Sequence, residues 1–164
     1  VASYRGQRGR KSQDTEGERV ARVGALPFCA DGHDVALWEL RRLGHWHRLG
    51  RGTGLMRENT PGDAFCILME GQVAVSRQGW NLSTLGPGVT LGEMTYLRPD
   101  NRIRTATAVA ETEVLVLKVR NPALREASED LQSRFDKAFI KLLVGRLIAT
   151  NEQLAEWEQG LSEP

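Results

Sequence analysis

The residues of this chain best suited to chemistry are Leu91-Gly92-Glu93-Met94-Thr95-Tyr96-Leu97 and, one short polar loop later, Arg104-Thr105-Ala106-Thr107-Ala108. They gather one acid, one arginine, one hydroxyl and a run of backbone N–H groups around what reads as a single helical turn. Gly92 lets the backbone approach an anion closely, and the N–H groups opening the turn carry the positive end of the helix dipole. Arg104 adds a planar, permanently charged fork for phosphate oxygens, with the Thr105 hydroxyl beside it as a further donor. Glu93 is a poor neighbour for phosphate but a good acceptor for a sugar hydroxyl. Phosphate donors with one carboxylate among them fit a phosphorylated ribose. Arg102 competes with Arg104 for the phosphate role. The small alternating run Thr105–Val109 reads as the next strand and favours Arg104.

Such groups need a rigid frame, and 164 residues with 40% hydrophobic content can bury one respectable core but hardly two. Residues 1–24, with Arg5, Arg8, Arg10, Lys11, Arg19 and Arg22 among glycine, serine and acids, read as a flexible basic and polar tail or linker. A short helix is expected over Asp34–Leu43, with Val35, Leu37, Trp38, Leu40 and Leu43 as a rough apolar stripe. Alternation at Phe65, Ile67 and Met69, at Val73 and Val75, and at Leu115, Leu117 and Val119 predicts short strands. Breaks at Gly62, Gln78-Gly79, Pro87-Gly88 and Arg98-Pro99-Asp100 supply the turns. The expected fold is mainly β with flanking helices: an antiparallel β-roll or jelly-roll barrel over 25–120, interrupted by the helical turn of the cassette at 91–106.

The remainder, 121–159, reads as helical. Asn121-Pro122 looks like an N-cap with proline at the first helical position, and Ser128 before Glu129-Asp130 looks like a second start. From there to about Gln159 no proline intervenes, which predicts a helix of roughly thirty residues, on the order of 45 Å. Phe139, Leu143, Leu147, Thr150, Leu154 and Trp157 form a stripe that outruns what a small barrel can cover. It either folds back on its own barrel or pairs with a second copy of the chain.

The Gly92-Glu93 pair followed by Arg104-Thr105-Ala106 resembles the phosphate-binding cassette of the cyclic-nucleotide-binding domains of the catabolite-activator type, a family also found in nucleotide-gated channels and kinase regulatory subunits. The glycine-punctuated run Gly52–Phe65 and the segment Glu70–Val75 are similar to the strands that precede that cassette, and the likeness extends over about 34–158. It implies that Glu93 accepts from the ribose 2′-OH, that Arg104 pairs with the cyclic phosphate, and that Gly92, Met94 and Thr105 donate to it. Gly145–Leu154 is similar to the family's central helix, which makes Thr150 and Asn151 candidates for base contacts, with an ordinary polar helix face as the alternative. Trp157 has two readings, a purine stack or interface core. Asn59 and Cys66 stand where the family usually has glycine and tyrosine; asparagine tolerates a left-handed backbone, so that turn survives.

The resemblance implies a non-enzymatic sensor that binds cyclic AMP or cyclic GMP as ligand, with no cofactor, and signals through its C-terminal helix. The expected setting is a cytoplasmic homodimer, regulating an effector domain in the same chain or a partner protein. The alternatives are the truncated sensor half of a transcription factor and a ligand-free docking module. Val1 in place of an initiator methionine suggests a piece of a longer chain.

Other features weigh against other classes. A net charge of +1 offers no whole-molecule argument for nucleic acid, and direct binding to it is not expected of this segment. Cys29 and Cys66 lie far apart in apolar surroundings and read as reduced thiols. No apolar run has the length of a membrane span. Gly50-Arg51-Gly52-Thr53-Gly54 lacks the Lys-(Ser/Thr) of a phosphate loop and reads as a barrel turn. His45 and His47 share a strand face but have no third metal ligand nearby in sequence, and the intact cassette argues against haem. No nucleophile, base and orienting group are arranged for catalysis.

Overall fold

The computed structural model describes residues 15–26 and 34–161. Its two sheets are antiparallel and four-stranded. The first has the order β1 (Gly44–Leu49), β8 (Val114–Arg120), β3 (Ala64–Glu70), β6 (Thr90–Leu91). The second has the order β2 (Gly54–Met56), β7 (Thr107–Ala110), β4 (Val73–Arg77), β5 (Trp80–Leu85). Strands β3 and β8 are apolar on both faces, and the two-residue period sorts their side chains into two cores. Phe65, Ile67, Leu115, Leu117 and Val119 face the helices. Leu68, Leu91, Val114 and Val116 face the second sheet, where they meet Val73, Val75 and Ala108. The expected β-roll is therefore present, with its central strands between the opposite sheet and the helices. Gln78 and Gly79, at φ 50° and 81°, close the β4–β5 hairpin, and Asn59 takes φ 60°, the left-handed position that the sequence assigned to it.

Inside the stretch read as a linker, Glu16–Gly24 forms helix α1. Its start is a capping box: the Thr15 side chain accepts from the Glu18 N–H, and the Glu18 carboxylate accepts from the Thr15 N–H at 2.8 Å. Among its described side chains, Val23 and the following Leu26 are the ones buried in the core, too few apolar positions to show a period. The basic residues of 1–14, and Cys29, lie outside the described residues.

Helix α2 (Asp34–Leu43) has the expected bounds but a narrower stripe. Ala36 and Leu40 are buried, whereas Val35 and Trp38 are exposed. Helix α3 (Met94–Leu97) is the single turn of the cassette. In α4 (Asn121–Arg125) the N-cap is Arg120 rather than Asn121, so Asn121 is already helical and its amide is free for another use.

Helix α5 (Glu129–Gly160) is 32 residues long, and the Ser128 hydroxyl caps it by accepting from the Leu131 N–H at 3.2 Å. Ser128 in turn donates its N–H and hydroxyl to the Glu39 carboxylate of α2, which seats the start of α5 against α2. Leu131, Phe135 and Phe139 are buried; beyond Arg146, Leu147, Leu154 and Trp157 are all more than half exposed. The stripe therefore lies on its own barrel only at Phe139 and, in part, Leu143; from Leu147 onward it is exposed. Among the described residues no helix is long and apolar enough to cross a membrane.

Candidate functional site

The cassette begins where β6 ends. Gly92 takes φ +86°, and a Cβ there, or at Gly62, would collide with the Arg104 guanidinium. Glycine at both positions leaves a slot in which Arg104 lies along the backbone, donating to the Gly92 carbonyl at 3.1 Å and the Ala64 carbonyl at 2.6 Å. Its own backbone is held by Thr60 and Asn59: the Arg104 N–H donates to the Thr60 carbonyl at 2.8 Å, and the Asn59 N–H donates to the Arg104 carbonyl at 2.9 Å. Desolvation lowers the Arg104 pKa from its ordinary value, against the opposing influence of Cys66, Asp63 and Glu93. An arginine so placed still carries its charge at neutral pH. Arg102 is exposed, so of the two competing arginines it is Arg104 that the fold turns inward.

Glu93 is almost completely buried, at 1% exposure. One carboxylate oxygen accepts from Arg146 of α5 at 2.5 Å, and the other is buried with no hydrogen-bond partner among the described residues. The same Arg146 donates to the Thr90 carbonyl at 3.1 Å, so a single side chain fastens the long helix to β6 and to the cassette acid together. Met94 and Thr105 are half-buried beside this arrangement. Arg104, Gly92 and Glu93 are thus brought together as the spacing implied.

Thr150 and Asn151 are not joined to them. Both are exposed, the Thr150 hydroxyl donates to the Arg146 carbonyl one turn back at 2.8 Å, and neither residue hydrogen-bonds the cassette among the described residues.

Three connections were missed from the sequence. Arg146 pairs with Glu93 across 53 residues, and nothing in the sequence sets it apart from the other basic residues of α5. Asn121 donates its amide to the Thr95 hydroxyl at 3.1 Å, and Thr95 donates to the Gly92 carbonyl at 3.0 Å, a buried chain from α4 into the cassette. Tyr96 of α3 lies 5.8 Å from Phe139 of α5 between ring centroids, while Phe65 packs edge-on against Phe135 and Phe139 at 5.3 Å each. Cassette and helix therefore share one aromatic cluster.

The remaining sequence features carry no site. Gly52, at φ +83°, serves a barrel turn. Burial pushes the Cys66 thiol up to about 11, the condition of an inert, protonated thiol. Among the described residues no three His, Cys, Asp or Glu side chains group as metal ligands do.

Comparison with known proteins bears on the family and the fold. The family model described as "Cyclic nucleotide-binding domain" matches residues 46–130. A CRP-like cAMP-activated global transcriptional regulator of Mycobacterium tuberculosis is 30% identical over 111 residues, covering 65% of this chain and 48% of the regulator. A cGMP-dependent protein kinase, egl-4, of Caenorhabditis briggsae is 34% identical over 79 residues, covering 48% of this chain and 9% of the kinase. This chain thus spans about half the length of the regulator it matches. Among solved structures, the cAMP-bound PfPKA-R fragment 141–441 superposes with a TM-score of 0.71 at 17% identity, over 84% of this chain and 46% of that one, a likeness of fold.

Proposed function

The chain belongs to the cyclic-nucleotide-binding domain family, and from that premise we propose that it is a sensor whose cassette captures a 3′,5′-cyclic nucleotide and reports occupancy through α5. The observation that carries the reading is the paired state of the cassette. Of the two groups that ligand chemistry calls for, Glu93 is buried and Arg104 is half-buried along the backbone, and each is held by a replaceable partner: Arg104 by two backbone carbonyls, Glu93 by Arg146.

A cyclic phosphate gives the Arg104 fork a better acceptor than neutral carbonyls, with the Gly92 and Met94 N–H groups and the Thr105 hydroxyl as further donors. The ribose 2′-hydroxyl donates to Glu93, whose unpartnered oxygen is placed to accept without a new desolvation cost. Both events act on Arg146 and on the aromatic cluster around Tyr96, and so on the seat of α5. The ligand shifts the helix only as far as it prefers one helix position over the other. In this reading Thr150 and Asn151 reach the base only after α5 moves, or when they come from a second copy of the chain. The protein takes no part in bond chemistry, and its ligand is either of the two purine nucleotides.

The exposed half of α5 favours a homodimer through that helix, with an effector in the same chain or a partner protein, in the cytoplasm. Calorimetric titration with cyclic AMP and cyclic GMP tests the reading. Saturable binding of one of them, weakened at least ~30-fold in Arg104→Ala as expected for loss of a charge-assisted bidentate pair, is the expected outcome. Absence of heat and of thermal stabilisation with both nucleotides would leave a ligand-free docking module.

A further inference from the structure

A cleft of about 490 Å³ lies between the turn that leads into β6 and the first turns of α5, and none of Gly92, Glu93, Met94, Arg104 or Thr105 lines it. One wall is the run Gly88-Val89-Thr90. It is pinned to β3 on both sides, the Gly88 N–H donating to the Leu68 carbonyl at 2.8 Å and the Leu68 N–H to the Val89 carbonyl at 2.9 Å. The opposite wall presents Arg134, Lys137 and Lys141 above the apolar surface of Ala138 and Leu142.

Charge is the first sign of a ligand. Three cations and one carboxylate, Asp130, line the cleft, a local excess of +2 in a chain whose total is +1. Asp130 is already engaged by Arg134 at 2.9 Å. Lys137 and Lys141, one helical turn apart on the same face, pair with no carboxylate of the described residues. The second sign is independent. Thr90 lines the cleft at 5% exposure, and its hydroxyl is buried with no hydrogen-bond partner among the described residues. A buried hydroxyl left unpaired is costly unless a ligand or water completes it.

We infer that this cleft is a second ligand site, for a small phosphorylated metabolite whose anionic group lies between Lys137 and Lys141 and whose body rests on Val89, Ala138 and Leu142, accepting from or donating to Thr90. Its volume lies in the range of small-molecule sites, ~300–1,000 Å³. The place has a regulatory consequence. A ligand that spans α5 and the Thr90 turn braces the same two elements that Arg146 joins through the Thr90 carbonyl, and so favours the docked position of α5.

The test is calorimetric titration of the full chain with ADP and with inorganic pyrophosphate at about 0.15 M salt, where unspecific attraction to exposed lysines is largely screened. Four proteins are compared: wild type, Arg104→Ala, the double variant Lys137→Ala/Lys141→Ala, and Thr90→Val, each checked for folding by circular dichroism. Saturable ADP binding is expected in wild type and undiminished in Arg104→Ala. It should weaken at least ~10-fold in the lysine double variant, as for loss of charge-assisted contacts, and several-fold in Thr90→Val; pyrophosphate, lacking a body for the apolar floor, should bind more weakly than ADP. The lysine double variant decides alone if Thr90→Val does not fold. No saturation in wild type, or equal affinity in the lysine variant, overturns the proposal. So does loss of binding in Arg104→Ala with retention in the lysine variant, which would place the anion in the cassette.

Discussion

The two halves of α5 make the sharpest contrast in the molecule. From Glu129 to Arg146 the helix is seated: Leu131, Phe135 and Phe139 are buried, the N-cap Ser128 donates to the Glu39 carboxylate, and Arg146 reaches Glu93. From Leu147 to Gly160 the same helix continues with Leu147, Ile148, Leu154 and Trp157 all more than half exposed. One stripe passes through both. The barrel is wide enough to cover only its first half. Regular helix, then, does not by itself mean anchored helix: the anchored part owes its stability to tertiary burial, and the rest carries exposed apolar residues.

The largest expected effect separates the halves by stability. Phe139→Ala empties a site shared by Phe65, Tyr96 and Phe135 and should cost about 3–5 kcal/mol in chemical denaturation. Leu154→Ala, read at concentrations where the chain is monomeric, should stay within about 0.5 kcal/mol. Comparable losses at both positions would mean that the distal half is packed on the barrel after all.

Next in size is the effect on assembly. Wild type should be dimeric by light scattering at micromolar concentration, and Leu154→Glu/Trp157→Glu should be monomeric with its unfolding midpoint otherwise near that of the wild-type monomer. A wild type that remains monomeric over the whole accessible range removes the dimer from the reading and leaves the overhang to a different protein.

Arg146→Ala probes the boundary between the halves. Glu93 would lose its one paired oxygen while staying buried, for a cost of about 1–3 kcal/mol, moderated because Arg146 is itself 39% exposed. The variant should also raise hydrogen exchange along 147–160 more than along 129–145. An Arg146→Ala protein with unchanged exchange in both segments would show that the ion pair does not seat the helix.

The smallest effect belongs to the barrel. Desolvation, helped by Lys118 and His45, holds the His47 imidazole below its usual value. A base whose folded pKa is depressed is protonated first in the unfolded chain, so stability should begin to fall as pH drops through about 6.5 and stop falling once the folded form is itself protonated. His47→Gln should flatten that slope, by less than about 1 kcal/mol in total. Asp63, held low mainly by its hydrogen bond from Arg120, adds a separate loss beginning near the ordinary carboxylate range. Substitutions in the distal half of α5, which packs against neither His47 nor Asp63, should leave the profile unchanged.

The amino-acid sequence alone determined what is local. Alternation placed β3, β4 and β8, Ser128 and the proline-free run that follows it placed α5, Asn59 announced left-handed backbone, and the Gly92-Glu93 to Arg104 spacing marked the cassette turn. These signals are legible because each depends on neighbours a few residues away.

The tertiary structure decided which of the locally similar residues meet. Asn121 was read as a helix cap and proved to be a donor to Thr95, because the start of α4 lies against the cassette. Helix α1 was read as part of a linker because two buried anchors, Val23 and Leu26, make no period, and only the packed core gives them value. Glu93 and Arg146 stand 53 residues apart, and no spacing rule joins them. Their pairing follows from where α5 crosses β6, a position set by the aromatic cluster of Phe65, Tyr96, Phe135 and Phe139 rather than by any residue of the pair.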